Sequence, residues 1–291
     1  MQTKRNYGLF YAFACILLWS FIPVVSRFGQ VNLDNFQFLF WSNSLSLLVV
    51  GLFWFFQKNS NPPQSLLPKQ FLYVLFLGFL GCTFYYLCLY FGYANGNGLE
   101  VLVIQYCWPL IMIILSAILL KERLSLLSYG AVIAGFCGIL LVLTKGNISE
   151  LKFSNLTVAL IVLLGAFSFA LFSVLSKKFK GEPYTITTLL FVGGLITSTL
   201  SLFIFSEFAW PTQDELIPVV INGAFINGIS YIFWLKALEK IKASTAATLV
   251  FLAPVLSSIW IVLFFTEPFY ISYAIGLSLV IVAGLITVKN Q

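Results

Sequence analysis

The chain has 291 residues, of which 60% are hydrophobic and only 9% charged, with a formal net charge of +6 and a mean hydropathy of +0.98. Soluble domains run near a quarter charged, so 16 basic and 10 acidic side chains cannot clothe a water-facing surface on a chain this long, and its main solvent is lipid. The complete lack of histidine excludes imidazole-held metals and Ser-His-Asp chemistry.

A bilayer-crossing helix needs about 20 mostly apolar residues. Ten such runs follow one another, at 7–27, 36–56, 71–94, 99–120, 126–144, 155–177, 186–206, 216–238, 244–265 and 271–288. The connecting segments are short, leaving no room for a soluble domain. Met1 to Arg5 ahead of the first run superficially resembles a secretory leader. That run is too long and has no small-residue cleavage pattern, so it is read as a retained first helix. The five cysteines lie in apolar runs without C-x-x-C spacing and read as small buried residues.

With the N-terminus inside, thirteen of the 16 basic residues fall on the cytoplasmic side, leaving only Arg27, Lys145 and Lys152 outside. This is the bias that orients membrane helices, and it puts both termini in the cytoplasm. The positive charge is therefore an orientation signal and not a nucleic-acid footprint.

Span 1 carries Trp19-Ser20-Phe21, and span 6 carries the similar Phe167-Ser168-Phe169, 148 residues on. A shift of 145 residues lays spans 3–4 on spans 8–9: Gly78 falls on Gly223, Tyr86 on Tyr231, Pro109 on Pro254 and Glu122 on Glu267. The chain divides accordingly into two five-helix units, 1–146 and 147–291. Five is odd, so the second unit is expected to enter the membrane in the opposite sense. The charges agree, since Lys121-Glu122-Arg123 matches Thr266-Glu267-Pro268, with the basic residues on whichever copy faces the cytoplasm. Inverted repeats are a signature of alternating-access transporters.

On span 4, Gln105, Trp108, Met112 and Ser116 share a face, with Tyr106 beside it. A glutamine at membrane depth has to meet protein or water, so that face should point inward. Pro109 in span 4 and Pro254 in span 9 lie near the midplane and should kink their helices, freeing the carbonyls of Gln105 and Val250. On span 8, Asn227, Tyr231 and Trp234 form a second stripe, matched on span 3 by Tyr86 and continued by Tyr90 and Tyr93. Tyr90, Tyr93 and Trp41 taken singly read as packing or interfacial residues. Glu122 and Glu267 read as caps of the helix that follows each, and Glu100 as a cap of span 4 or an ion-coupling group. Gly130, Ala134 and Gly138 on span 5, and Gly276 and Gly284 on span 10, form small-residue ridges. Such ridges serve either contact between the two units or a homodimer face.

No carboxylate lies near the midplane, which argues against obligatory proton coupling and against a permanently cationic substrate. Aromatic rings with amides suit a small molecule that has one planar apolar end and one polar end. Nothing in the inventory requires a cofactor or metal, or clusters into an enzyme's catalytic group.

Trp19-Ser20, Glu100-Val101, Tyr106, Trp108-Pro109, Ala224-Phe225 with Gly228, Tyr231 and Trp234, and Pro254-Val255-Leu256-Ser257-Ser258 are similar to the ten-helix EamA-type members of the drug/metabolite transporter superfamily. Essentially the whole length takes part, and the likeness extends to the bacterial aromatic amino acid exporter branch. The resemblance implies a multi-pass inner-membrane protein with a central aromatic cavity, opened alternately as helices 1, 3, 4, 6, 8 and 9 rearrange. It also favours export. The expected substrate residues are Trp19, Tyr86, Gln105, Tyr106, Trp108, Met112, Phe169, Asn227, Tyr231, Trp234 and Ser257. Phe169 and Thr83 depart from that branch, as aligned here, which tends to have tryptophan and tyrosine there; a less aromatic pocket implies a broader substrate set. The alternatives are uptake or exchange of another organic metabolite, such as a nucleotide-like cofactor, and a membrane scaffold.

Overall fold

The computed structural model describes residues 2–57, 66–96, 98–147, 149, 151, 155–179, 181–266 and 268–290. Within them, ten helices are long and apolar enough to cross a membrane: α1 (Thr3–Gly29), α2 (Asn35–Gln57), α3 (Pro68–Asn95), α4 (Glu100–Leu119), α5 (Leu126–Leu143), α6 (Leu156–Lys178), α7 (Pro183–Phe205), α8 (Gln213–Lys240), α9 (Ala243–Phe265) and α10 (Ile271–Lys289). No strand occurs among the described residues. Each helix matches one expected span, with ends displaced by a few residues. In α8 the start is set by Thr212 and Glu215, which form a capping box ahead of the expected boundary.

Half of these helices are not continuous α-helix, and sequence explains where most of them break. In α4, the segments Gly98–Gln105 and Trp108–Leu119 are separated by Tyr106 and Cys107. Pro109 has no N–H to continue the ladder, and the Cys107 N–H turns back to the Ile104 carbonyl at 3.0 Å. In α9, Phe251 separates Ala243–Val250 from Leu252–Phe265 ahead of Pro254, and its N–H meets the Thr248 carbonyl at 3.3 Å. Tyr106 and Phe251 stand 145 residues apart, so both proline kinks occur at matching positions. In α1, Phe21 breaks the helix before Pro23.

The remaining two irregularities are π-helical: Phe79–Phe84 in α3 and Ile221–Ile229 in α8. A wider turn misaligns backbone carbonyls, which then need other partners in a water-poor interior. Those of α3 find them on three neighbouring helices. Ser168 Oγ donates to the Leu80 carbonyl at 2.9 Å, Tyr231 Oη to that of Gly81 at 2.8 Å, and Asn43 Nδ2 to that of Cys82 at 3.2 Å. In α8 the Gly223 carbonyl accepts from Ser46 Oγ at 2.8 Å.

Close packing of α5 on α10 settles the use of one glycine ridge. A Cβ on Gly276 would lie 2.6 Å from the Gly138 carbonyl oxygen, and one on Gly138 would lie 2.9 Å from the Gly276 oxygen. These two glycines let α5 and α10 touch within one chain. Gly130 has open space around it and plays no part.

Candidate functional site

Kinked α4 and α9, together with α1, α3 and α10, leave a cavity of about 470 Å³ at the end of the bundle where α1 finishes and α2 begins. Tyrosines dominate its wall: Tyr86, Tyr90 and Tyr93 from α3, Tyr106 from the α4 break and Tyr273 from α10. The polar groups are Gln105, Asn222, Ser26, Ser257 and Ser258, with Gln30, Asn35 and Lys145 among the lining residues that belong to this end of the bundle. Among the described lining residues none is acidic.

Gln105 is held from two sides. Its Nε2 donates to Tyr85 Oη at 2.5 Å, and its Oε1 accepts from Tyr93 Oη at 3.5 Å. The Ser257 hydroxyl is committed to the backbone, its single hydrogen shared between the carbonyls of Ser20, 2.7 Å away, and Ala253, 2.9 Å away. It therefore ties α9 to the break in α1 at the cavity wall. Trp260 reinforces the same joint through its Nε1, 2.8 Å from Ser20 Oγ, and by stacking on Phe21 at 4.6 Å.

Of the residues expected to bind substrate, Tyr86, Gln105, Tyr106 and Ser257 line the cavity, as does Pro254. The others sit behind it. Trp19, Trp108, Phe169, Tyr231 and Trp234 form a closed aromatic plug, with Trp108 4.8 Å from Phe169 and 6.0 Å from Trp234, and Trp19 5.1 Å from Trp234. All five are buried, and so is Met112. Two indole nitrogens of the plug are satisfied, that of Trp19 by Ser230 at 2.8 Å and that of Trp234 by Ser173 at 3.1 Å. Asn227 connects cavity to plug, its Oδ1 accepting from Tyr86 Oη at 3.4 Å. The α4 stripe is thus divided by the kink: Gln105 faces the cavity, while Trp108, Met112 and Ser116 are buried beyond it. Helical periodicity grouped these four residues on one face, and the kink marked by Pro109 divides that face.

Four sequence expectations need correction. Tyr90 and Tyr93, read singly as packing residues, line the cavity; their spacing from Tyr86 along α3 was the available signal. Thr83 faces α7, donating to the Gly194 carbonyl at 3.0 Å, so its smaller size takes nothing from the cavity wall. Glu122 does not cap the helix that follows it, since Ser125 does so by accepting from Ser128 N at 3.2 Å. Instead Glu122 caps α9, accepting from the N–H groups of Ala243 at 2.9 Å and Ser244 at 3.0 Å. Lastly, Lys145, which the sequence marks only as one of three basic residues outside, lines the cavity, together with Tyr273 and Asn222, to which sequence assigned no role. Glu267 lies outside the described residues. Glu100 occupies the first turn of α4 and is only 2% exposed.

The Glu122 contact belongs to a seal at the opposite end of the bundle. Lys177 Nζ lies 3.7 Å from Glu122 Oε1 and donates to the carbonyls of Leu238, at 2.6 Å, and Ile241 at the end of α8. One carboxylate and one ammonium thereby join the α4–α5 loop, α6, α8 and α9. The Gly8 position of α1 is so close to Ile241 that an added Cβ would lie 2.7 Å from its side chain. The arrangement is a pocket open at one end, blocked in the middle by edge-to-face and tilted rings, and bridged at the other end by Glu122 and Lys177, beside a separate cavity of about 400 Å³ that Lys177, Ser176 and Leu238 help to line.

Comparison with known proteins agrees with this architecture. The model of the EamA-like transporter family matches twice, over residues 6–144 and 156–289. An uncharacterized transporter, YyaM of Bacillus subtilis (strain 168), is 27% identical over 260 residues, covering 86% of this chain and 83% of its own. An S-adenosylmethionine uptake transporter of Rickettsia prowazekii (strain Madrid E) is 24% identical over 274 residues, covering 92% of this chain and 87% of its own. The aromatic amino acid exporter YddG of Ancylobacter novellus is 25% identical over 168 residues, or 56% of this chain and 57% of its own. A solved crystal structure superposes with a TM-score of 0.84 at 19% identity, covering 98% of both chains, which establishes the shared fold. The chain is a multi-pass inner-membrane protein and belongs to the EamA-like transporter family.

Proposed function

We propose that this transporter carries aromatic and other neutral amino acids across the inner membrane by alternating access, as an exporter or facilitator. The observation that carries the reading is the tyrosine-walled cavity of about 470 Å³. Its size lies in the range of small-molecule sites, and its rings with a clamped amide offer stacking plus a few directed hydrogen bonds. The two units, 1–146 and 147–291, are read as inverted copies, with both termini cytoplasmic. On that orientation the cavity opens outward, and the Glu122–Lys177 clamp closes the cytoplasmic side. Exchange of the two closures between the units would carry the substrate past the plug. With no acidic group among the described lining residues, transport is read as facilitated diffusion and not as obligatory proton exchange.

S-adenosylmethionine is the second substrate class. Two Rickettsia relatives are named as its uptake transporters, and they cover 84% and 92% of this chain. Five tyrosine rings also offer a means of holding a sulfonium cation without a carboxylate, by attraction to ring faces.

Proteoliposomes holding the purified protein test both readings. Efflux of labelled phenylalanine well above that from empty vesicles supports the first. Flux of S-adenosylmethionine with none of phenylalanine selects the second, and absence of both refutes the substrate assignment.

A further inference from the structure

Among the described residues lining the cavity, Lys145 alone carries a formal charge. It stands just beyond the end of α5, where the Lys145 N–H bonds the Val142 carbonyl at 3.1 Å and the Gly146 N–H bonds that of Leu141 at 3.0 Å. This closure places Lys145 at φ 53°, followed by Gly146 at φ 87°. Steric conflict at Cβ makes that conformation unfavourable for an L-residue, and glycine or asparagine usually takes it. A lysine attracted by the helix dipole needs no such backbone, because the attraction acts throughout the last turn. Here the turn sets Lys145 among the residues that line the cavity. Its Nζ lies 5.2 Å from the ring centroid of Tyr270, the residue just ahead of α10, and Tyr273 in the first turn of α10 is a wall residue. The charge also runs against the orientation pattern, being one of only three basic residues at the end read as outside.

A transported amino acid brings a carboxylate of fixed negative charge. The tyrosine faces can accommodate the ammonium group and an aromatic side chain, but a ring face repels an anion. We propose that Lys145 is the docking cation for the substrate carboxylate, holding that end at the mouth while the remainder lies among the tyrosines. The proposal rests on the amino-acid reading above and deepens it. It applies equally to S-adenosylmethionine, which ends in the same α-amino carboxylate.

The test is equilibrium binding to the full-length protein in lipid nanodiscs, using two matched pairs: phenylalanine with phenethylamine, and S-adenosylmethionine with its decarboxylated form. Lys145→Gln is expected to weaken binding of each carboxylate ligand by roughly tenfold or more and to leave the carboxylate-free partners within about twofold. Lys145→Arg should restore carboxylate binding, and the melting temperature of each variant reports folding. Unchanged affinity for the carboxylate ligands in Lys145→Gln overturns the proposal, as does equal weakening of both members of a pair. If the wild-type protein binds none of the four, the substrate reading itself fails, and the anchor falls with it.

Discussion

Tyr231 of α8 donates its phenolic hydrogen to the carbonyl of Gly81, 2.8 Å away in the π-helical stretch of α3. Its counterpart 145 residues earlier, Tyr86, reaches in the other direction to the Asn227 side chain of α8. The two irregular helices are thus joined by a reciprocal pair of tyrosines, one in the buried plug and one in the cavity wall. Whatever moves α3 relative to α8 has to break or exchange these bonds.

Tyr231→Phe keeps the ring against Phe191 and Phe172, at 5.2 and 5.8 Å, but removes the donor from a buried carbonyl. An unsatisfied buried group costs about 1–3 kcal/mol. The expected outcome is a melting temperature several degrees lower in detergent, with the helical circular dichroism intact. An unchanged melting temperature would mean that the bond contributes nothing.

Trp108→Phe trims the plug without opening a large void, unlike alanine, which would remove a buried indole at about 3–5 kcal/mol. Phenylalanine flux in proteoliposomes should fall severalfold while the protein remains folded. Wild-type flux would remove the plug from the transport path.

Glu122→Gln withdraws the charge that faces Lys177 and weakens the cap on α9. Charge-assisted hydrogen bonds of this kind contribute about 1.5–3 kcal/mol each, so the clamped end should open more often. A reporter cysteine at Thr245, a buried residue in the first turn of α9 next to the cap, should then react faster with a maleimide, in a background where Cys107 and Cys137 are serine. Equal reaction rates would show that this end stays closed without the carboxylate.

Gly276→Ala drives a methyl group to 2.6 Å from the Gly138 carbonyl oxygen and 2.4 Å from a Val142 methyl, so α5 and α10 have to separate. Gly130→Ala meets nothing within 4 Å and gains up to about 1 kcal/mol in helix propensity. Thermal melts should show the first variant strongly destabilised and the second equal to the wild type or better. The opposite order would argue against this helix contact.

Much of the architecture was legible because membrane spans are coarse features. Ten apolar runs are visible without any partner, and Pro109 and Pro254 mark their kinks because a missing N–H is a local property. The π-helical stretches were not legible, since they depend on side chains from distant helices, such as Asn43, Ser168 and Tyr231, meeting freed carbonyls. The same holds for Glu122, whose acceptor groups cap a helix 121 and 122 residues further along the chain. Trp108 and Trp234 were recognisable as central, but whether an aromatic residue walls a cavity or plugs it depends on how kinked helices pack. Lys145 escaped notice because its place at the cavity is set by a left-handed backbone turn that composition and spacing do not reveal.

The central claim is that residues 1–146 and 147–291 cross the membrane in opposite senses around one cavity. Cysteine labelling with an impermeant reagent on intact cells tests it most directly, comparing Arg123→Cys after α4 with Phe269→Cys after α9, both at exposed positions. The expected result is labelling of residue 269 from outside and of residue 123 only after the cells are opened. Labelling of both from the same side would contradict the inverted arrangement and the transport mechanism built on it.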